Sequence, residues 1–370
     1  MFSIFDFQMM QRAINLTILG VYTATPNPSV GCVITKDDHI VGEGCHLRAG
    51  EPHAEVHALN AAGKRAKNAT AYVTLEPCSH YGRTPPCTLA LLEAGVNRVV
   101  CAMVDPNPKV AGRGIQCLRD ANIQVDIGLM EVQAEALNPG FIKVMKTGLP
   151  FVQLKLAASL DGRTALSNGR SKWITSFEAR KDVQTFRSMS DAILSTRQTV
   201  VDDDPSLNVR WDQLPSKIQA NYEQASLRQP VCVILDSKGM VPSTSRLFSF
   251  PGKKIILTAN PAVLFTQKNI EIVVIPKASN GLDLNVAFRV LASKGINHIW
   301  VEAGPTLAGS LLTEELVDEL IVYQAPKLMG SDSRALVNLV GYTEMEQVLT
   351  FSLTDVCQIG SDIRLRMYKQ

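Results

Sequence analysis

His53-Ala54-Glu55 stands directly behind Pro52, and two Pro-Cys pairs, Pro77-Cys78 and Pro86-Cys87, follow a short apolar run ending at Leu75-Glu76. One imidazole and two thiolates are three zinc ligands, and a zinc site with three protein ligands keeps its fourth tetrahedral position for water. Each candidate ligand falls near an expected helix start, where unpaired N–H groups and the positive end of the helix dipole lower a thiol's pKa. Zinc takes the pKa of a bound water from ~15.7 to roughly 7, so the implied chemistry is hydrolytic. Glu55, beside the metal but not bound to it, is the candidate catalytic proton carrier. It can take the water proton and deliver it to a ring nitrogen while ammonia leaves an amino-bearing carbon of a nitrogen heterocycle. A loop histidine or a core thiol accounts for any one of these residues, but poorly for His-x-Glu and two Pro-Cys pairs together.

The commonest form of this pattern has two residues between the cysteines, whereas Cys78 and Cys87 are separated by Ser79-His80-Tyr81-Gly82-Arg83-Thr84-Pro85-Pro86. That insert brings His80, so a ligand set with His80 in place of Cys87 stays open, although Cys87 at a helix start makes the better thiolate. His57 lies four residues after His53, but a metalloprotease helix needs Glu directly after the first His, and here it comes one residue later. His57 reads as a core residue or a support for the ligands.

Positioning these groups requires a layered α/β frame. Asp6 is placed to cap a helix with Met10, Ile14 and Ile18 on its apolar side, and Thr25-Pro26-Asn27-Pro28 must be loop. Val30 to Thr35 and His39 to Gly44 read as a hairpin around Lys36-Asp37-Asp38. Pro52 opens a helix that Gly63 ends, and Pro86 opens one that Gly95 closes. Strands at 71–75, 98–104 and 124–127 alternate with helices at 114–121 and 131–146. The punctuated Thr147-Gly148-Leu149-Pro150 marks a boundary, giving domains 1–147 and 148–370. The second domain restarts the pattern with strands at 151–157, 231–235, 254–257, 272–275 and 298–302, and the polar stretch 212–229 reads as a surface excursion.

Composition narrows the class of function. At 370 residues the chain exceeds one ordinary core, and 46% hydrophobic with 19% charged residues exclude a disordered chain. Lys plus Arg is 37 against Asp plus Glu 35, without a basic stripe, which argues against deamination of a nucleic acid. The uncharged run from Ile14 to Thr35 is broken by Pro26, Pro28 and Gly31, so no membrane span is expected. No basic residue precedes Arg12, as a secretory signal would require, and eight scattered cysteines suit a reducing compartment, so a cytoplasmic enzyme is expected. A zinc-stabilised scaffold with four protein ligands is the non-enzymatic alternative. In the second half, Val301-Glu302-Ala303-Gly304-Pro305-Thr306-Leu307-Ala308-Gly309-Ser310 forms a small-residue turn from strand to helix, a geometry that suits phosphate. It lacks Gly-x-Gly-x-x-Gly, so it is no Rossmann fingerprint, and alone it is hard to tell from an ordinary strand–helix turn.

Together, Thr25-Pro26-Asn27-Pro28, His53-Ala54-Glu55-Val56-His57, Thr74-Leu75-Glu76-Pro77-Cys78-Ser79-His80 and Gly82-Arg83-Thr84-Pro85-Pro86-Cys87 resemble the bifunctional riboflavin-biosynthesis deaminase/reductases. The resemblance continues through Gln153-Leu154-Lys155-Leu156, Ser159-Leu160-Asp161-Gly162-Arg163-Thr164 and Val301-Glu302-Ala303-Gly304-Pro305-Thr306-Leu307, covering nearly the whole chain. It implies a cytidine-deaminase-like three-layer domain followed by a dihydrofolate-reductase-like α/β domain, one zinc ion per chain, NADPH, and a homo-oligomer, dimer or tetramer. Deamination at C2 of 2,5-diamino-6-ribosylamino-4(3H)-pyrimidinone 5′-phosphate would precede reduction of its ribosyl chain to ribityl. By the same resemblance His53, Cys78 and Cys87 are the metal ligands and Glu55 the proton shuttle. Asn27, His46, His80, Asp105 and Asn107 are possible contacts in the deaminase pocket, or loop residues bonding their own backbone. NADPH contacts fall on Ala157, Trp173, Thr199, Asp203 and Ser237 and on the loop Gly304, Pro305, Thr306, Leu307, Ala308, Gly309 and Ser310. Ser171, Arg187, Leu207, Arg210 and Glu302 would face the sugar phosphate. Lys155 and Glu302 are candidates to assist the proton that accompanies hydride transfer or to position substrate.

Overall fold

Ser3 opens the first helix, α1 (Ile4–Leu16), in the computed structural model, which describes residues 1–81, 85–108, 110–279 and 281–369. Its Oγ accepts the Asp6 N–H at 3.1 Å while the Asp6 carboxylate accepts the Ser3 N–H at 2.8 Å, a reciprocal cap. Asp6 is therefore the third residue of the helix and not the cap that the sequence suggested. Its carboxylate also takes the Tyr72 hydroxyl and Arg98, which ties the helix to the sheet.

The chain falls into two compact units, Met1–Gly148 and Leu149–Gln370. In the first, β1 (Gly31–Lys36) and β2 (His39–Cys45) pair antiparallel across Asp37 and Asp38, both at positive φ as a tight hairpin turn demands. Then follow α2 (Ala54–Ala62), β3 (Thr70–Val73), α3 (Cys87–Glu93), β4 (Arg98–Cys101), α4 (Arg113–Asp120), β5 (Gln124–Ile127), α5 (Glu131–Glu135) and α6 (Pro139–Thr147). The sheet order is β2-β1-β3-β4-β5, with the last three parallel. One face of the sheet buries Ala54, Ala58, Leu91 and Leu118, and the other Met10, Ala13, Leu129 and Ile142, so the unit is three layers, helix on sheet on helix. The single helix expected across 131–146 is two, because Pro139 has no N–H to continue the first and suits the opening of the second.

Helix α2 lies unusually close to β2. A Cβ at Gly44 would stand 2.4 Å from the Ala54 carbonyl oxygen, and one at Gly42 2.1 Å from that of Ala58. Both glycines point to one face of the strand, and Ala54, Ala58 and Ala62 present a matching small-residue stripe four residues apart. The N-terminus of α2, with His53 as its cap, is thereby set by backbone contact.

In the second unit the elements run β6 (Phe151–Ser159), β7 (Arg163–Ala165), α7 (Phe177–Met189), β8 (Ala192–Thr196), α8 (Arg197–Asp203), α9 (Ser216–Asn221), β9 (Val231–Leu235), β10 (Lys254–Thr258) and β11 (Ile270–Val274). They continue with β12 (Lys277–Ala278), β13 (Gly281–Leu282), α10 (Leu284–Ser293), β14 (His298–Glu302), α11 (Pro305–Thr313), β15 (Glu319–Ala325), β16 (Arg334–Ala335), β17 (Phe351–Ile359) and β18 (Asp362–Lys369). Nine strands form one sheet in the order β11-β10-β9-β8-β14-β6-β15-β18-β17, parallel from β11 to β15 and antiparallel in the last two. The sequence marked five of these; β8, β15, β17 and β18 are the additions. In such sheets ligands sit beyond the carboxyl ends of the parallel strands. Among the described residues no helix is long and apolar enough to cross a membrane.

Gly44→Ala should push α2 off β2. We expect the cluster at the start of α2 to hold a divalent metal at least about 10-fold more weakly, since a shift of ~1 Å at a ligand is costly, with the second unit folded as before. Metal content after dialysis against a chelator, alongside circular dichroism of the whole chain, checks this.

Candidate active sites

His53, Cys78 and Cys87 come together because two helices begin at one place. His53 caps α2 and Cys87 is the first residue of α3, with Pro86 as its cap. Cys78 lies in the turn after β3, and the Cys87 N–H donates to its Sγ at 3.4 Å. His53 Nδ1 is 3.6 Å from Cys78 Sγ and 3.3 Å from Cys87 Sγ, and the three ligand atoms all lie within 4.8 Å of one another. Tetrahedral zinc with ordinary Zn–N and Zn–S bonds separates such atoms by about 3.5 Å, so the donor set fits the ion. The hydrogen bond from Cys87 draws the Cys78 thiol down to about 4, aided by His53 against the effect of burial, while the same partnership and burial push Cys87 up. Two sulfurs and an imidazole nitrogen gathered this closely are a donor set suited to a divalent cation. His80 is exposed and outside this cluster. Gly82, Arg83 and Thr84 of the insert lie outside the described residues.

Glu55, on the first turn of α2, is 3% exposed. Burial, reinforced by the Cys78 charge, pushes its carboxyl up to about 7, against the opposing pull of His53 and the Cys87 thiol. Its side chain is therefore beside the ligands. His46 packs edge-on against His53, ring centres 5.2 Å apart, and bridges two loops: Nδ1 to the Pro52 carbonyl at 3.1 Å and Nε2 to the Asn27 amide nitrogen at 3.1 Å. Nδ1 then carries the proton and Nε2 accepts, so the ring is neutral, in keeping with burial holding its pKa below the usual value. Asp105 is buried and accepts the Asn107 N–H at 2.8 Å. Burial, with Glu76 and Cys78 adding to it, raises its carboxyl to about 6.

In the second unit a cavity of ≈ 1130 Å³ opens at the carboxyl ends of β6, β8, β9 and β14. Lys155 and Ala157 of β6 line it, as do Ser171 and Trp173, Thr199 and Asp203 of α8, and Ser237 after β9. Leu207, Arg187, Arg210 and Glu302 line it too, with Gly304, Pro305, Thr306, Leu307 and Ser310. Ala308 and Gly309 do not. Ala308 is fully buried in the apolar core, and a Cβ at Gly309 would lie 2.0 Å from the Asn338 carbonyl oxygen, so these two face away from the cavity as helical periodicity requires. Among the described residues no side chain caps α11 and nothing stands within 4 Å of where a Cβ on Gly304 would be, so the helix start faces open space, a place suited to phosphate.

Arg187 grips Glu302 with two hydrogen bonds, 2.6 and 2.8 Å, and Trp300 Nε1 donates to the same carboxylate at 2.7 Å. Burial alone would raise this carboxyl; Arg187, with Lys155 behind it, holds it at about 2. Burial lowers the Lys155 pKa against the pull of Glu302. Three lining arginines escaped the sequence reading. Arg180 stacks 4.4 Å over the Trp173 ring, and Arg246 and Arg334 add charge. An isolated arginine on a helix or loop carries no mark of which cavity it will line.

Residues 4–103 match the family of the cytidine and deoxycytidylate deaminase zinc-binding region, and residues 150–365 match the RibD C-terminal domain. The riboflavin biosynthesis protein RibD of Escherichia coli (strain K12) is 52% identical over 362 residues, spanning 98% of this chain and 99% of that protein. The chain belongs to the RibD family. Riboflavin biosynthesis protein RibD of Haemophilus influenzae is also 52% identical, over 98% of this chain and 97% of its own length. Among solved structures, Acinetobacter baumannii RibD (form 1) superposes with a TM-score of 0.91 at 45% identity over 99% of both chains. A Thermotoga maritima diaminohydroxyphosphoribosylaminopyrimidine deaminase/5-amino-6-(5-phosphoribosylamino)uracil reductase gives 0.86 at 31% identity, again over 99% of both. This RibD-family chain is a bifunctional deaminase/reductase of riboflavin biosynthesis, with its zinc-binding deaminase region first and its reductase domain second.

Cys78→Ser removes one sulfur from the three-ligand cluster and should cost both bound zinc and ammonia release. Zinc stoichiometry by atomic absorption is the measurement, and full zinc occupancy in the variant would exclude Cys78 as a ligand.

Proposed function

We propose that the first unit hydrolyses the C2 amino group of 2,5-diamino-6-ribosylamino-4(3H)-pyrimidinone 5′-phosphate. The second then reduces the ribosyl chain with NADPH to give 5-amino-6-ribitylamino-uracil 5′-phosphate. The observation that carries the deaminase half is the convergence of His53 Nδ1, Cys78 Sγ and Cys87 Sγ beside the buried carboxyl of Glu55. His53, Cys78 and Cys87 would hold zinc, which when bound supplies a water acidic enough to attack near neutral pH. Glu55 would take the proton from the attacking water, pass it to the pyrimidine ring and then to the departing amine. Its burial suits a group that must both accept and release a proton. His46, fixed in its neutral form by Pro52 and Asn27, offers a rigid wall behind His53, and Asp105 and Asn107 offer polar contacts to the ring.

For the reductase half, the cavity is larger than the ~300–1,000 Å³ of ordinary ligand pockets, which suits a dinucleotide together with its substrate. NADPH when bound supplies the hydride. Ala157, Trp173, Thr199, Asp203, Ser237 and the start of α11 would seat it. Among the described residues the Arg210 guanidinium bonds Gln213 Oε1 and Ser206 Oγ, both neutral, and burial together with the positive charges of Arg187, Arg246 and Arg180 lowers its pKa. Like charges gathered around one cavity favour a dianion, and the planar guanidinium fork fits phosphate oxygens in pairs. Ser171, Leu207 and Arg187 would complete that end. Lys155, close to Glu302 and Arg187 at the middle of β6, can donate the proton that accompanies hydride transfer or orient the sugar. All eight cysteines are free, in keeping with a reducing, cytoplasmic location, and the family reading extends to a homo-oligomer, dimer or tetramer.

Glu55→Gln should keep its zinc yet lose ammonia release by at least about 100-fold, the usual scale for a general acid–base. Turnover equal to that of the unsubstituted chain would end the role assigned to Glu55. Arg210→Ala should raise the reductase KM for the phosphorylated intermediate by about 10- to 100-fold, the loss of one charge-assisted contact, with kcat less affected. Unchanged steady-state kinetics would remove Arg210 from the site.

A further inference from the structure

Glu76 is buried, 4% exposed, and has no part in the chemistry above. Its carboxylate accepts four backbone N–H groups: Oε2 takes those of Asp105 at 3.1 Å and Gly112 at 2.9 Å, and Oε1 those of Gly114 at 2.8 Å and Ile115 at 3.2 Å. Gly112 caps α4 without a side chain to offer, so Glu76 supplies that cap from another element. The Glu76 N–H in turn donates to the Met103 carbonyl at 3.1 Å. Gly114 permits the close approach, because a Cβ there would lie 2.0 Å from the Pro77 carbonyl oxygen.

A helix cap alone would need only the donors of α4. The bond to the Asp105 N–H reaches a different segment, the one on which Asp105 Oδ1 orders the Asn107 N–H. Two residues along the chain from Glu76 stands Cys78. One carboxylate thus clamps the segment that carries a metal ligand to the segment that carries two candidate substrate contacts. A side chain with both oxygens accepting, and no donor of its own, is required. We propose that Glu76 is a positioning residue of the deaminase: it holds Asp105 and Asn107 at a set reach from Cys78, and so governs affinity for the pyrimidine without touching it. The inference rests on the deaminase reading.

The full-length zinc-loaded protein is compared with Glu76→Gln, Asp105→Asn and the double variant, measuring zinc per chain, ammonia release from the diaminopyrimidine phosphate, and NADPH oxidation. Gln matches Glu in shape but turns one acceptor oxygen into an amide that faces N–H donors. The expected result is full zinc and full reductase turnover, with the deaminase KM raised at least about 10-fold as the contacts lose alignment, and kcat within about threefold of the unsubstituted chain. Asp105→Asn should then add little in the Glu76→Gln background, because the two act as a unit. An unchanged KM in zinc-loaded Glu76→Gln, or KM effects that simply multiply, overturns the proposal. If Glu76→Gln loses zinc, Glu76→Asp decides: zinc kept with a raised KM supports positioning, and zinc lost again, or an unchanged KM, overturns it. Failure of the unsubstituted chain to release ammonia would instead overturn the deaminase reading and this inference with it.

Discussion

Helix α2 rests on β2 with backbone against backbone, at Gly42 and Gly44 on the strand and Ala54 and Ala58 on the helix. Close packing of this kind leaves little freedom to slide, because any displacement meets carbonyl oxygens instead of flexible side chains. Everything at the deaminase centre depends on that seat. It fixes the helix start where His53 and Glu55 sit, and α3 begins beside it with Cys87 as its first residue. The imidazole nitrogen then meets both sulfurs at separations matched to a tetrahedral ion.

The reductase half relies on a different device. Its cavity lies at the carboxyl ends of parallel strands, where loops and helix starts converge. Within it the Arg187–Glu302 pair is mostly buried, its side chains 9% and 16% exposed, and removing one partner of a buried pair costs at most about 3–5 kcal/mol. Its value is positional. With Glu302 neutralised by Arg187, the cavity lining keeps a local excess of positive charge to which Arg180, Arg210, Arg246 and Arg334 contribute. In a chain whose total charge is nearly balanced, anion binding must come from such local concentration.

Much of the first unit was legible beforehand because its signals are local. Proline and glycine punctuate its helices, and its inner strands are short apolar runs bounded by turns. Where reading failed, a nonlocal fact intervened. Asp6 resembles a helix cap, yet its carboxylate serves Ser3, Tyr72 and Arg98 at once. In the second unit, β17 and β18 carry Asp355, Arg364 and Arg366 amid their apolar residues, and only pairing with each other and with β15 makes strands of them. Strand preference depends on neighbours to a degree that helix capping does not.

From residue types and spacing alone came the family resemblance, the α/β class of both halves and the candidate metal-binding trio, since ligand chemistry is a property of side chains. Which residues meet was settled by the fold. Ala308 and Gly309 belong to the small-residue turn in sequence but face inward from α11, whereas Arg180 and Arg246, unremarkable in sequence, reach the cavity. Glu76 makes the same point from inside the core, for its four donors lie 29 to 39 positions away along the chain. A hydrogen bond needs atoms about 3 Å apart whatever the intervening length of chain, and only folding brings such distances about.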